Sequence, residues 1–156
     1  TKGLCNFYNI PYTIIRPSAV YGPTDMNQRV TQIFLEKAIK GETLTINGKD
    51  EKLDFTFVED LANGAILAAL SKKAINQTFN ITFGKAMTLY QYVKILSKYF
   101  PRLNYIFKER DHQRPKRGTL SISKAKKLLN YKPYFNLEKG MKKYVEFAKS
   151  FKEDKK

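Results

Sequence analysis

Apolar and polar positions along this chain switch repeatedly between two periods. "PYTII" (11–15) is a largely apolar, β-branched run entered from a proline, the pattern of a strand buried on both faces. "MNQRVTQIFLEKAIKG" (26–41) changes to helical spacing: Val30, Ile33, Phe34, Ala38 and Ile39 share one face, and Gly41 ends the helix. "TLTIN" (43–47) alternates as a strand does, and "GKD" after it is a turn. "DFTFV" (54–58) is another short strand. "EDLANGAILAALSK" (59–72) is a helix with two acids in its first turn, where the helix dipole favours them. "QTFNIT" (77–82) is a strand closed by a glycine turn. "TLYQYVKILSKYF" (88–100) is a helix with Thr88 as N-cap, stopped before Pro101. "LNYIF" (103–107) is a strand, and "SISKAKKLLN" (121–130) and "NLEKGMKKYVEFAKSF" (136–151) are helices. Residues 1–9 have the character of a helix end.

Strands alternating with helices make the class α/β. The 156 residues, 42% of them hydrophobic, suffice for one domain with a real core. No apolar run approaches the roughly 20 residues a membrane helix needs, and "TKGLCNFYN" lacks the apolar centre of a secretory signal. One cysteine excludes an internal disulfide framework, and one histidine argues against a His-based metal site or a Ser-His-Asp triad. Cys5 is expected to be a small buried hydrophobe, His112 to be solvated, and the protein to be cytoplasmic. The formal charge of +15 raises the question of a nucleic-acid partner. Only six of the 29 basic residues are Arg, and the lysines spread along the chain and thicken in "KSFKEDKK". That is the pattern of a solvated surface with a charged tail over 152–156, not of a base-reading face.

One junction carries more chemistry than the rest. "IRPSAVYGP" (15–23) leaves the first strand through a proline, which cannot donate to a ladder and fixes the exit. In a parallel α/β sheet, ligands bind beyond the carboxyl ends of the strands. Pro17, Ser18, Ala19 and Val20 therefore stand where a cofactor ring could lie. Tyr21 is expected to pack. An α/β domain that opens inside a helix, with its first strand already reached, reads as the C-terminal portion of a longer protein.

"RPSAVYGP", "DFTFVEDLANG" (54–64), "FNIT" (79–82) and "SKAKKLLNYKP" (123–133) follow one another at spacings that resemble the extended short-chain dehydrogenase/reductase family, in its nucleotide-sugar epimerase/dehydratase branch. Each pattern alone is weak; four in order across nearly the whole chain are specific to the family, though not to any sugar. The resemblance implies the C-terminal part of a Rossmann-type NAD(P)-binding fold interleaved, over 1–156, with a small substrate-binding α/β region. It implies NAD or NADP as cofactor, a nucleotide sugar as substrate, a homodimer for the full-length protein, and a catalytic Tyr-x-x-x-Lys and glycine-rich loop upstream of Thr1. Lys2 sits about one helical turn too close to Arg16 to be that lysine and is taken as surface. The chain alone is therefore expected to be inactive. In the whole enzyme an upstream Tyr takes a proton from a sugar hydroxyl while hydride passes to nicotinamide.

The same resemblance assigns residues. Pro17, Ser18 and Val20 fall on the cofactor side. Ala19, where the family often has a substrate-bonding Asn, would offer backbone only. Gln28, Arg29 and Val30 open a helix that touches the diphosphate, as helix N-termini can. Thr45 and Asn47, on one face of a strand, would pack against the base. The family's phosphate-binding Arg before Asp-Phe is here Leu53, with Lys52 one residue earlier and on the opposite face. The segment 110–124 holds three of the six arginines, and one of Arg114 and Arg117 is expected to bind phosphate. Asp60 is read as tying down N–H groups at its own helix start, and Asp54 with Glu59 as no catalytic pair. Two alternatives remain at this point: a non-catalytic or atypical NAD(P)-binding reductase-like protein, supported by Ala19 and Leu53, and a basic nucleic-acid-binding module.

Overall fold

The computed structural model describes residues 2–153, with side chains described as far as Ser150. The elements in order are α1 (Lys2–Phe7), β1 (Thr13–Arg16), β2 (Val20–Tyr21), α2 (Val30–Lys40), β3 (Leu44–Asn47), β4 (Lys52–Leu53), β5 (Thr56–Phe57) and α3 (Val58–Leu70). After a 3-10 turn at Lys72–Ala74 come β6 (Gln77–Asn80), β7 (Met87–Thr88), α4 (Leu89–Ser97), β8 (Tyr105–Lys108), α5 (Ser123–Leu129) and α6 (Leu137–Glu153). The strands form four two-stranded ladders. Three are parallel: β1 with β6 (Thr13 opposite Gln77), β2 with β5 (Val20 opposite Thr56) and β3 with β8 (Leu44 opposite Tyr105). The fourth, β4 with β7, is antiparallel. The class is α/β, as expected.

Two apolar clusters hold these elements together. The larger joins Phe34 and Leu35 of α2, Leu44 and Ile46 of β3, Phe55, Phe57, Tyr92 and Val93 to Met141, Tyr144 and Val145 of α6. The smaller packs Ala68, Phe79, Ile81, Ala125, Leu129 and Tyr131 where α3 and α5 meet the end of β6. Burying side chains of this size contributes on the order of 2 kcal/mol each. Tyr21 links strand exit to core. It is 1% exposed, meets Phe55, Phe57 and Tyr144, and its hydroxyl donates to the Leu137 carbonyl at 3.5 Å. Its expected packing role is what the structure shows.

Several boundaries differ from the sequence pattern, each for a local reason. β1 is not buried on both faces: Thr13 and Arg16 are exposed, and β6 is its one ladder partner among the described residues. α2 starts at Val30, because Gln28 takes φ +50° and Arg29 is the extended N-cap. Its core face is Thr31, Phe34, Leu35 and Ala38, so Ile33 turns outward at 39% exposure. The strand expected over 54–58 is shorter: only Thr56–Phe57 form β5, the two-residue β4 lies just before the run, and Val58 is already helical. α6 continues to Glu153, so the tail expected from 152 is helical in its first two residues, and 154–156 lie outside the described residues. Caps agree better. Gly41 closes α2 at φ +73° and Asn130 closes α5 at φ +55°. Thr88 caps α4, accepting from the Gln91 N–H while the Gln91 side chain accepts from the Thr88 N–H, a capping box.

Candidate functional site

The loops and helix ends at one side of these ladders enclose a cleft of about 820 Å³. The β1–β2 connection gives it Ala19 and Val20, and the entry to α2 gives it Gln28, Arg29 and Val30. Arg29 makes no side-chain cap, so no side chain at the N-cap occupies the first-turn N–H groups of α2. The Gln28 N–H itself donates to Gln32 Oε1 at 2.7 Å. The outward face of α2 adds Ile33 and Lys37. From β3 come Thr45 and Asn47, whose alternate neighbours Leu44 and Ile46 are fully buried in the core. Lys52 and Leu53 of β4 and the exposed loop carrying Arg114, Pro115 and Arg117 complete the wall.

The arginine loop is tied at both ends to one short stretch. Near its start, Arg110 Nε meets Glu51 Oε1 at 2.7 Å, and Arg110 Nη2 donates to the Arg114 carbonyl at 2.7 Å. Beyond its end, the Leu120 N–H donates to Asp54 Oδ2 at 3.1 Å. Asp54 is completely buried and also accepts from the Thr82 hydroxyl and the Gly84 N–H, each at 3.0 Å. Asp54 stands between β4 and β5, which pair with different strands. Within the loop, Arg114 Nε pairs with Asp111 Oδ2 at 3.1 Å.

All nine residues assigned from the sequence to substrate line this cleft, as does Val20 from the cofactor set. Pro17 and Ser18 do not line it; they lie just beyond the carboxyl end of β1. Sequence reasoning missed Lys37 and Glu51. The first had a signal, since Arg29, Ile33 and Lys37 recur at four-residue steps on one helix face. Ile33 had been counted to the core instead. Asp60 corrects an expectation: its carboxylate accepts from the Tyr134 and Phe135 N–H groups at 2.8 and 2.9 Å, fastening the α5–α6 connection rather than its own helix start. Glu59 pairs with Lys143 at 2.7 Å. Cys5 is half-buried on a helix with no buried residue, not a core side chain, whereas His112 and Lys2 are exposed as expected. Tyr90 and Lys94 share a Tyr-x-x-x-Lys spacing, but they sit on α4 with Tyr90 against Tyr105 and Phe107, and neither lines the cleft.

A cleft at strand ends, with a helix N-terminus, a cationic loop and a two-residue strand face, suits an anionic ligand with a planar part. Comparison with known proteins decides the family. The NAD-dependent epimerase/dehydratase family model matches residues 1–82. This chain belongs to that family. It is 30% identical over 157 residues to the UDP-glucuronate 4-epimerase of Thermodesulfobacterium geofontis, covering 92% of the chain and 45% of that relative. It superposes on the epimerase Mth375 of Methanothermobacter thermautotrophicus with a TM-score of 0.91 at 25% identity, over 97% of the chain and 47% of that protein. A UDP-glucuronic acid 4-epimerase from Bacillus cereus, solved with UDP-glucuronic acid and NAD, gives a TM-score of 0.86 at 27% identity over 96% of the chain and 50% of that protein. The chain thus spans about half the length of these relatives and shares their Rossmann-type α/β fold. The family is NAD-dependent, and the residues present fit only one end of that cofactor. Pro17 to Val20 offer a strand-end loop for a ring. The eight glycines, at 3, 22, 41, 48, 64, 84, 118 and 140, form no Gly-x-x-Gly-x-x-Gly loop for its phosphates. No helix among the described residues is long and apolar enough to cross a membrane.

Proposed function

We propose that this chain is the nucleotide-sugar-binding half of an NAD(P)-dependent epimerase or dehydratase. The observation that carries the reading is the convergence on one cleft of Ala19, Gln28, Arg29, Val30, Thr45, Asn47, Lys52, Arg114 and Arg117. The base lies along Thr45 and Asn47. The diphosphate spans the N-terminus of α2, where Arg29 adds a charge, and the loop carrying Arg114 and Arg117. The sugar points toward Ala19 and Val20, beside the strand end where Pro17 and Ser18 would face the nicotinamide. NAD, when bound, supplies the hydride acceptor for oxidation at the sugar ring. On this reading the residues of this chain bind and orient the substrate, and the catalytic Tyr and the glycine-rich loop are supplied from outside these 156 residues.

The open edge of β1 and the apolar surface beside it support the same division. Leu4, Phe7, Tyr8 and Ile10 are all more than half exposed, and α1 buries none of its residues. A six-residue helix with no buried face is not stable by itself. Incubating the 156-residue chain with NAD and UDP-glucose or UDP-glucuronate tests the assignment of the chemistry. No epimerised or dehydrated product is expected; turnover by the chain alone would overturn the division.

A further inference from the structure

We propose that Arg110 is a positioning residue that sets the arginine loop over the cleft, so that Arg114 and Arg117 meet a diphosphate. The inference rests on the reading of the cleft as a nucleotide-sugar site. Arg110 does not itself line the cleft. Its side chain is 20% exposed, against 77% for Arg114. One planar guanidinium makes two directed bonds, through Nε to the Glu51 carboxylate and through Nη2 to the main-chain oxygen of Arg114. The second bond fixes backbone within the loop, which a neutralising ion pair alone would not do. Lysine has a charge but no fork with which to reproduce both.

The turn beneath is shaped for this pair. Gly48 takes φ +73°, and a Cβ there would lie 2.7 Å from Glu51 Cγ and 2.8 Å from Arg110 Cβ. The missing side chain leaves the slot in which the two meet. The Glu51 N–H closes the turn on the Gly48 carbonyl at 2.9 Å. With Leu120 held by Asp54, both anchors of the loop come from residues 51–54, the stretch that also lends Lys52 and Leu53 to the cleft. Residues 111–119 between them are all exposed. A loop with little burial of its own depends on such ties for its position.

The test is calorimetric titration of the 156-residue chain and its variants with UDP, alongside thermal unfolding. Arg110→Ala and Arg110→Lys are each expected to weaken UDP binding about tenfold. In an Arg114→Gln/Arg117→Gln background, adding either change is expected to weaken it by less than about twofold, because Arg110 acts through those residues. Glu51→Gln keeps the shape of the pair and removes its charge; it serves if Arg110→Ala does not fold, and a smaller loss of the same kind is expected. Unchanged affinity in the folded single variants would overturn the proposal. So would an undiminished loss in the double background, which would mean that Arg110 meets phosphate directly. If the unsubstituted chain binds no UDP, the reading of the cleft fails first, and the role of Arg110 falls with it.

Discussion

Ala19 concentrates the relation between backbone and ligand in one residue. It adopts φ +37°, a region in which an L side chain with a Cβ is strained and which Asn tolerates better. Its carbonyl accepts from the Thr56 N–H at 3.2 Å, holding the β1–β2 connection against β5, and the residue lines the cleft while packing against the larger core cluster. Ala19→Asn is therefore expected to leave folding stability within about 0.5 kcal/mol while adding an amide beside the sugar. Titration should show tighter binding of UDP-glucose with UDP itself unaffected; equal change in both would remove Ala19 from the sugar end. The twist at this position is not visible in "RPSAVYGP". The pattern shows a proline exit and a packing Tyr21, and both are present in the fold. Positive φ at an alanine leaves no mark in composition.

At the scale of elements, Asp54 ties three segments together. It is fully buried, and its two oxygens receive Thr82, Gly84 and Leu120, so it joins the β4–β5 link, the loop after β6 and the lead into α5. Asp54→Ala would leave three donors without their partner, at roughly 1–3 kcal/mol for each left dry. A loss of about 3 kcal/mol or more is expected in chemical denaturation, together with weaker UDP binding because the far end of the arginine loop is released. A loss below about 1 kcal/mol would refute this role. The elements themselves were largely legible: six helices and the parallel pairing follow from period, caps and alternation. What was not legible came from long-range contacts. The core face of α2 is rotated because Phe34 and Leu35 answer to β3 and α4, and Asp54, the first residue of the 54–58 run, stays outside β5 with partners 28 to 66 residues away. The residues that line the cleft were reached mainly through the family resemblance, whereas Lys37 and Glu51, inside a helix and a turn, belong to none of the patterns that carry it and were passed over.

The whole molecule carries buried phenols at its centre, and these give it a pH limit. Desolvation raises Tyr21, Tyr92, Tyr131 and Tyr144 above the ordinary tyrosine value, with the charge of Asp60 adding to the shift at Tyr21 and Tyr131. A group whose pKa is raised on folding stabilises fully below its unfolded value. Its contribution is lost as pH rises past about 10, because the unfolded chain then releases a proton that the folded chain retains. Thermal unfolding from pH 8 to 11 should show a plateau followed by a fall above pH 10; a flat profile through pH 11 would contradict the burial. On the same scale stands the proposed division of labour between a nucleotide-sugar half and a dinucleotide half, and one calorimetric experiment addresses it directly. The 156-residue chain is titrated with UDP or dTDP, with NAD, and again with UDP after Arg114→Gln/Arg117→Gln. Saturable binding of a pyrimidine diphosphate, weakened about tenfold or more by the double change, with no saturable binding of NAD, is the expected result. Binding of NAD with no binding of either diphosphate would contradict the account.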